Sequence, residues 1–404
     1  MATTSTNTAA LATDTATSAE ASLLIHLTSV SAEAVEPALS NLALAFPGRS
    51  FAVAIPNVAP NLTASSSFDK LKLITYTPAA SSTTNWVLTA ADYFNTYKLA
   101  QEHAATACLM LGADSHTIPA ESIRGLAAAT LSSGSDLVVG HYHPGPRESL
   151  LHSAILYPVS RALFCTRPRF PLAIDLGISI RMAERLASVA QRFTAATQED
   201  AILWPVSEAA MAGYLLAEAD IPSRSAPSPA SSDLNSLFNQ ICSSLFADID
   251  TKAAFWQRMR NVIPARSISQ VPEPTEALDV TPMLESFHLA YSNLHEIWAL
   301  VLPPHALLGL KHLSVMPQES FRMQDNLWAR IVYDFILAYR LRTINRNHLL
   351  GALTPLYLAW VASHLILVHS GVAPEHHIEE QALAFETDKP YLVSRWRWPD
   401  RFNP

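Results

Sequence analysis

The sequence predicts an α/β domain built on a largely parallel sheet, followed by a helical region. Three observations carry this. Short apolar runs alternate with helically spaced segments as far as residue 141. Long helically patterned segments follow a Pro/Ser-rich stretch at residues 222–233. Apolar residues make up 49% of the 404 residues and charged residues 15%, enough for a large buried core.

Residues 1–21 are mostly Ala, Thr and Ser with no aromatic side chain, and are expected to form a disordered tail. Ser22–Ser29 and Ser50–Pro56 read as strands, and Ala32–Ala45 between them as a helix that stops before Pro47 and Gly48. Leu71–Thr77 reads as a strand, Ala90–Thr106 as a helix, Ala107–Leu111 as a strand running into Gly112-Ala113-Asp114, and Leu137–His141 as one more. The α/β domain is assigned to 22–221, the loop to 222–233 and the helical region to 234–404. Within that region Asn235–Arg260, Asp279–Leu302, Gln324–Thr343 and Asn345–His369 carry helical patterning. In the third, Leu327, Trp328, Ile331, Val332, Phe335, Ala338 and Tyr339 form an apolar stripe, with Arg330, Asp334 and Arg340 expected to point away. Leu353–His369 is shorter than the roughly 20 residues a bilayer requires and contains Pro355 and His364, so it is read as a buried helix and no membrane span is expected.

Composition narrows the function. The net charge is −8 and no basic block tracks a phosphate backbone, which argues against nucleic acid as a partner. Cys108, Cys165 and Cys242 match neither a disulfide framework nor a metal pair. The first Lys or Arg is Arg49, so neither a secretory nor a transit signal is recognisable, and a cytoplasmic location is expected. Only 11 glycines occur and no GxGxxG or GxxxxGK[ST] loop is found, which disfavours phosphate cradles built on close backbone approach.

Ligands in open α/β sheets bind beyond the carboxyl ends of strands, which draws attention to Asp114. An Asp after a strand is also a common turn or helix-capping residue, and Pro119 fits that simpler reading. His141 and His143 straddle Tyr142 on one side of a strand as metal ligands can, although an exposed loop pair is the simpler account. Glu375–Glu380 lacks HExxH spacing and reads as a solvated polar turn, and Arg395–Asp400 as a segment docking onto the body.

The run Cys108–Ile123 resembles the aspartate-motif strand of retaining glycosyltransferases of the GT-A fold, of the mannosylglycerate and glucosylglycerate synthase type. Ser135–Arg147 is similar to that family's strand and acceptor loop, Tyr157–Phe164 to its helix, and Pro171–Ser179 to its Pro-Ile-Gly-Gly-Asp-Phe-Gly-type turn. Trp328–Phe335 and Leu353–Ser363 resemble its C-terminal helices, so the likeness spans roughly residues 100–365. The resemblance implies a GT-A nucleotide-diphospho-sugar transferase-like domain. It implies transfer of a hexosyl group from a nucleoside-diphosphate sugar to a small acidic or hydroxylated acceptor of the glycerate type. A divalent cation, Mg²⁺ or Mn²⁺, would neutralise the leaving diphosphate. Carried over by position, Asp114 would bind metal and, with Ser115, the nucleotide sugar. Tyr142 and Arg147 would bind the acceptor, and Asp175 and Asp200 would be the acidic residues of catalysis. Asp114, Asp175 and Asp200 are then expected around one cleft.

Two departures bear on the cation. Gly112 stands where the family has the first Asp of its Asp-x-Asp pair, and Ser223–Pro229 holds no His where the family has one. Two of three expected metal ligands are missing, so metal dependence is expected to be weak. Two functional readings follow: a hexosyltransferase with a weakened metal requirement, or a non-catalytic homologue that serves as a binding or assembly module. Oligomeric state is left open.

Overall fold

The computed structural model describes residues 22–48, 51–56, 71–80, 84–132, 134–222, 224, 234–260, 264, 266 and 278–399. The expected tail at 1–21 lies outside them, as does the Pro/Ser loop apart from Pro222 and Arg224.

Seven strands form one sheet: β1 Leu23–Leu27, β2 Phe51–Pro56, β3 Leu71–Tyr76, β4 Ala107–Leu111, β5 Leu137–Tyr142, β6 Leu176–Ser179 and β7 Leu216–Ile221. Their order is β3-β2-β1-β4-β6-β5-β7. Every pairing is parallel except those of β6, which runs against both β4 and β5. Every residue of β1 and β4 is buried, as in strands covered on both faces. The covering helices are α1 Ala32–Ala45, α2 Ala90–Glu102, α3 Ala120–Ser132, α4 Tyr157–Phe164, α5 Ile180–Ala195 and α6 Pro205–Ala212. Helix α1 packs beside α3, and α2 packs beside α5.

The helical region comprises α7 Leu234–Thr251, α8 Ala253–Trp256, α9 Thr281–Ala299, α10 Pro304–Ser314, α11 Asp325–Leu341, α12 Arg346–His369 and α13 Pro374–Arg397. The fold class is therefore the expected one, α/β followed by helices. Strands β6 and β7 add to the expected set, the helix expected over Ala90–Thr106 ends at Glu102, and three further particulars differ. Residues Asn235–Arg260 do not form one helix, because the chain turns at Lys252 between α7 and α8. Glu375–Glu380 is no solvated turn but the start of α13, and burial of His377 and Glu379 there is made tolerable by partners from other elements. Asp334 does not point away: it is buried on α11 between Tyr391 and the guanidinium of Arg395, 2.6 Å off.

The helical core reaches back across the sheet domain's end. It includes Ala154–Leu156 of a π-helical turn and Val159, Leu163 and Phe164 of α4. Buried indole N–H groups must find acceptors, and that of Trp328 donates to Ala154 O at 2.8 Å, that of Trp298 to Ala352 O at 2.9 Å and that of Trp360 to Gln381 Oε1 at 2.9 Å. Helix α13 is fastened to α4 by ions. Arg161 Nη1 donates to Glu379 Oε2 at 2.5 Å and Arg161 Nε to Glu386 Oε1 at 2.9 Å, while Tyr157 donates to Glu379 Oε1 at 2.6 Å. Removing one partner of such a buried pair leaves an uncompensated charge, at a cost of about 3–5 kcal/mol. Helix α12 is long and apolar enough by composition to cross a membrane, yet 78% of its most apolar stretch is buried within the molecule.

His26 ties β1 to β3 and α2. The Thr96 hydroxyl donates to Asp92 O at 2.7 Å, so its oxygen is left to accept from His26 Nδ1–H at 2.7 Å. Nε2 then carries no proton and accepts from the Tyr76 hydroxyl at 2.6 Å. Burial lowers the His26 pKa from 6.5 to about 3. The unfolded chain takes up a proton below pH 6.5 and the folded one does not until about pH 3, so the stability from neutral His26 is full above that window and lost as pH falls through it. The difference in unfolding free energy between the native chain and His26→Asn, followed by urea denaturation, is expected to shrink by about 1.4 kcal/mol per pH unit below pH 6.5. A pH-independent difference would show that the imidazole is not held neutral.

Candidate functional site

The carboxyl end of β4 is the natural place for a ligand in this sheet, and the chain there reads Gly112-Ala113-Asp114. Asp114 is exposed and adopts a left-handed backbone conformation, φ 58°, which Asp tolerates better than most side chains. Its carbonyl accepts from Thr117 Oγ1 at 2.8 Å, closing the turn over Ser115–Thr117. Ser115 is buried behind it, and neither Ser115 Oγ nor His116 Nδ1 has a hydrogen-bond partner among the described residues.

Directly behind Asp114 lies a sealed polar network centred on Asp175, the residue before β6. Asp175 Oδ1 accepts from the Gly112 N–H at 3.2 Å, and Oδ2 accepts from the Tyr142 hydroxyl at 2.9 Å and faces Arg224 Nε at 2.6 Å. The Tyr142 oxygen in turn accepts from the backbone N–H groups of Ile174, at 3.1 Å, and Asp175, at 3.2 Å. Arg224 Nη2 also donates to Ala113 O. Asp175, Tyr142 and Arg224 are 0%, 2% and 3% exposed, so no solute reaches them. Burial pushes the Asp175 carboxyl upward, opposed by Arg224, Tyr142 and the Gly112 N–H.

Two glycines make room for this network. A side chain on Gly140 would sit 3.0 Å from Asp175 O and 3.3 Å from the Tyr142 hydroxyl. At Gly112 a Cβ would fall 2.4 Å from Ile174 Cδ1 and 2.7 Å from Ile174 Cβ. The position at which the resemblance implies the first metal-binding Asp is therefore filled by Ile174. The described residues at this end of β4 do not fit a divalent cation. Asp114 alone offers a carboxylate to solvent, and the segment implied to carry a metal-binding His supplies Arg224, spent on Asp175.

The other expected residues lie elsewhere. Asp200 follows α5 on a loop whose carbonyls at Glu199 and Ala201 accept from Ala91 N and Ala90 N at the start of α2. It lines a groove of about 1570 Å³ between α5, α6 and α7 with Arg185, Trp204, Glu208 and Lys252, and none of Asp114, Asp175, Tyr142 or Arg147 borders that groove. Nearby Asp92 is pushed up to about 7 by burial, with the charge of Asp200 a smaller cause. The single cleft expected for Asp114, Asp175 and Asp200 is thus not formed: Asp175 is enclosed and Asp200 faces a different groove. Arg147 is exposed on the turn after β5, where its charge acts on Asp279 ahead of α9. Gly112 and Gly140 belong to a cluster of six glycines between residues 112 and 177 that the sequence marks for tight turns and a site, whereas the roles of Arg224 and Ile174 carry no local signal. Arg224 lies in the Pro/Ser-rich segment, and the strand that delivers it, β7, has no clear apolar run in the sequence.

No family model matches the sequence, and no curated protein matches it. Among solved structures the chain is similar to glucosyl-3-phosphoglycerate synthase from Mycobacterium tuberculosis in complex with phosphoglyceric acid, at 10% identity over 57% of this chain and 80% of that one, TM-score 0.35. A structure of the same synthase with Mn²⁺, UDP-glucose and phosphoglyceric acid is similar at 10% identity over 57% and 79%, TM-score 0.36. A mycobacterial protein is similar at 8% identity over 57% and 75%, TM-score 0.35.

Restoring the Asp-x-Asp pair by Gly112→Asp is expected to destabilise the protein by about 1–3 kcal/mol through overpacking against Ile174, without creating Mn²⁺ affinity. Denaturant melts and Mn²⁺ calorimetry on the variant check both halves. Asp175→Asn is expected to cost about 3–5 kcal/mol by stranding Arg224, and combining it with Arg224→Met should cost less than the sum of the two single changes. Additive losses in that cycle would mean the two groups do not interact.

Proposed function

We propose that this chain is a GT-A-type glycosyltransferase scaffold that does not transfer a hexosyl group, and that it serves as a binding or assembly module. One observation carries the reading: Ile174 occupies the space in which the first carboxylate of an Asp-x-Asp pair would begin. Around it the groups implied for chemistry are engaged inside the protein. Asp175 binds Gly112, Tyr142 and Arg224, and the Tyr142 hydroxyl has both a carboxylate to donate to and two backbone donors to accept from. A carboxylate shut away from solvent can neither take a proton from an acceptor nor meet a sugar.

A second reading has its own support. Asp114 projects from the carboxyl end of β4 with the unpartnered Ser115 Oγ and His116 Nδ1 behind it, which is where a nucleoside-diphosphate sugar would lie in a transferase that works without a metal. In that case glycerate-type acceptors would be turned over with Asp114 touching the donor.

The experiment is a thermal-shift series with UDP-glucose and GDP-mannose, each with and without Mn²⁺, run beside an assay of nucleotide release in the presence of glycerate and 3-phosphoglycerate. A ligand that binds only the native state must raise the melting temperature. The expected result is no Mn²⁺-dependent rise and no acceptor-dependent release. Release of UDP or GDP without Mn²⁺, lost in Asp114→Asn while the melting temperature holds, would overturn the proposal in favour of the second reading.

A further inference from the structure

The carboxyl ends of β5 and β7 bring three side chains of metal-ligating type together, with His141 and His143 flanking Tyr142 of the Asp175 network. His141 and His143 are two residues apart on one strand and its immediate extension, so their side chains leave the same face. Asp220 on β7 is the direct partner of His141 in the parallel register. Asp220 Oδ1 lies 3.2 Å from His141 Nδ1 and 2.6 Å from His143 Nε2, and one ligand atom from each of the three falls within 4.8 Å of the others. This is the one such group of His, Cys, Asp and Glu among the described residues.

The surroundings hold this arrangement. His141 is half-buried, with its ring 5.9 Å from that of Phe170 and 5.1 Å from that of His143, while His143 and Asp220 are exposed and free to adjust. Phe170 is itself buried, 5.0 Å from the Tyr142 ring, and packs against His141. Glu218, two residues before Asp220 on β7, binds Arg266 at 2.7 Å, and Glu375 binds Arg169 at 3.1 Å. These two carboxylates are matched by these two guanidiniums, which leaves the charge of Asp220 available to an ion.

We propose that His141, His143 and Asp220 form a binding site for a divalent cation of the Zn²⁺ class, with at least one coordination position open to water or to an anionic oxygen. Two imidazoles and one carboxylate are the donors such borderline ions prefer, whereas Mg²⁺ and Ca²⁺ prefer oxygen. In a tetrahedral Zn²⁺ site with ligand bonds of about 2.0–2.1 Å, neighbouring ligand atoms stand about 3.4 Å apart, a spacing these three atoms reach by small rotations of the two exposed side chains. Three protein ligands with one open position is the pattern of zinc sites that bind a further ligand, in contrast to the closed four-ligand sites that hold structure. The site is independent of the cation implied for an Asp-x-Asp pair, so it stands or falls separately from the proposed function.

The test is calorimetry of the full chain, stripped with chelator, against Zn²⁺ and against Mg²⁺, with Co²⁺ added as a spectroscopic probe. The expected result is one equivalent of Zn²⁺ bound saturably, no Mg²⁺ heat, and a visible Co²⁺ band of low-coordinate N/O type. His143→Ala and Asp220→Asn should each weaken Zn²⁺ at least tenfold and abolish the Co²⁺ band. Both positions are exposed, so the melting temperatures of the metal-free variants should stay near that of the parent. Because the chain has 15 histidines, Zn²⁺ binding that survives unchanged in the His141→Ala/His143→Ala double variant would place the ion elsewhere and overturn the proposal. Absence of saturable binding in the parent would overturn it equally.

Discussion

Burying the carboxylate of Asp175 is the constraint on which this end of the sheet depends. A charge with no access to water has to be met by donors and by an opposite charge, and the chain meets it from three places at once: Gly112 after β4, Tyr142 at the end of β5 and Arg224 after β7. The same contacts fix the entry angle of β6, the strand that reverses direction, because Gly140 N–H donates to the Asp175 carbonyl at 2.9 Å just before the β5–β6 pairing begins. A single carboxylate thus joins the two halves of the sheet where its strand order departs from simple winding.

A second set of buried charges does comparable work between the sheet domain and the helices. Arg161 on α4 lies between Glu379 and Glu386 of α13, and Arg169 reaches Glu375 at the start of the same helix. Arginine suits this role, because its planar guanidinium distributes donors to several acceptors without losing its charge on burial. Helix α13 carries few apolar side chains on its exposed side and is positioned as much by these ions as by Phe385, Leu392 and Trp396 in the core. The helical layer cannot therefore be separated at residue 221 without stranding Arg161 and Arg169 on one side and their carboxylates on the other.

Much of the fold could be read from local pattern. The helix at Ala32–Ala45 has the expected bounds, and β1 to β5 fall within a residue or two of their expected positions, because each is a short apolar run ended by polar or Pro residues. The strands that escaped notice, β6 and β7, lack that contrast: Leu176–Ser179 contains a glycine, and Leu216–Ile221 alternates with Glu218 and Asp220 on an edge. Missing β7 hid both Arg224 and the pairing of Asp220 with His141, each of which is a contact across about 80 to 110 residues or more of chain. Glu375–Glu380 departs from its expected solvated turn for a related reason. A run of charged residues reads as solvated until the counter-charges on α4 and the chain after it, distant in sequence, are known.

The candidate site shows why residue-by-residue transfer of a motif preserves positions better than roles. Tyr142 and Asp175 stand where the resemblance implies substrate contacts, yet in this chain they bind each other, and Gly112, Ile174 and Arg224 form the rest of the same assembly. These residues are physically linked. An Asp at residue 112 would need the volume that Ile174 fills, and without Arg224 the carboxylate of Asp175 would face burial with neutral partners alone. A guanidinium on Asp175 and a divalent cation on a neighbouring carboxylate pair would also compete for the same few ångströms at the end of β4, since Arg224 already donates to the carbonyl of Ala113. Gly112, Ile174 and Arg224 are thus parts of one arrangement, in which a fixed protein cation meets the buried carboxylate from within the sheet end.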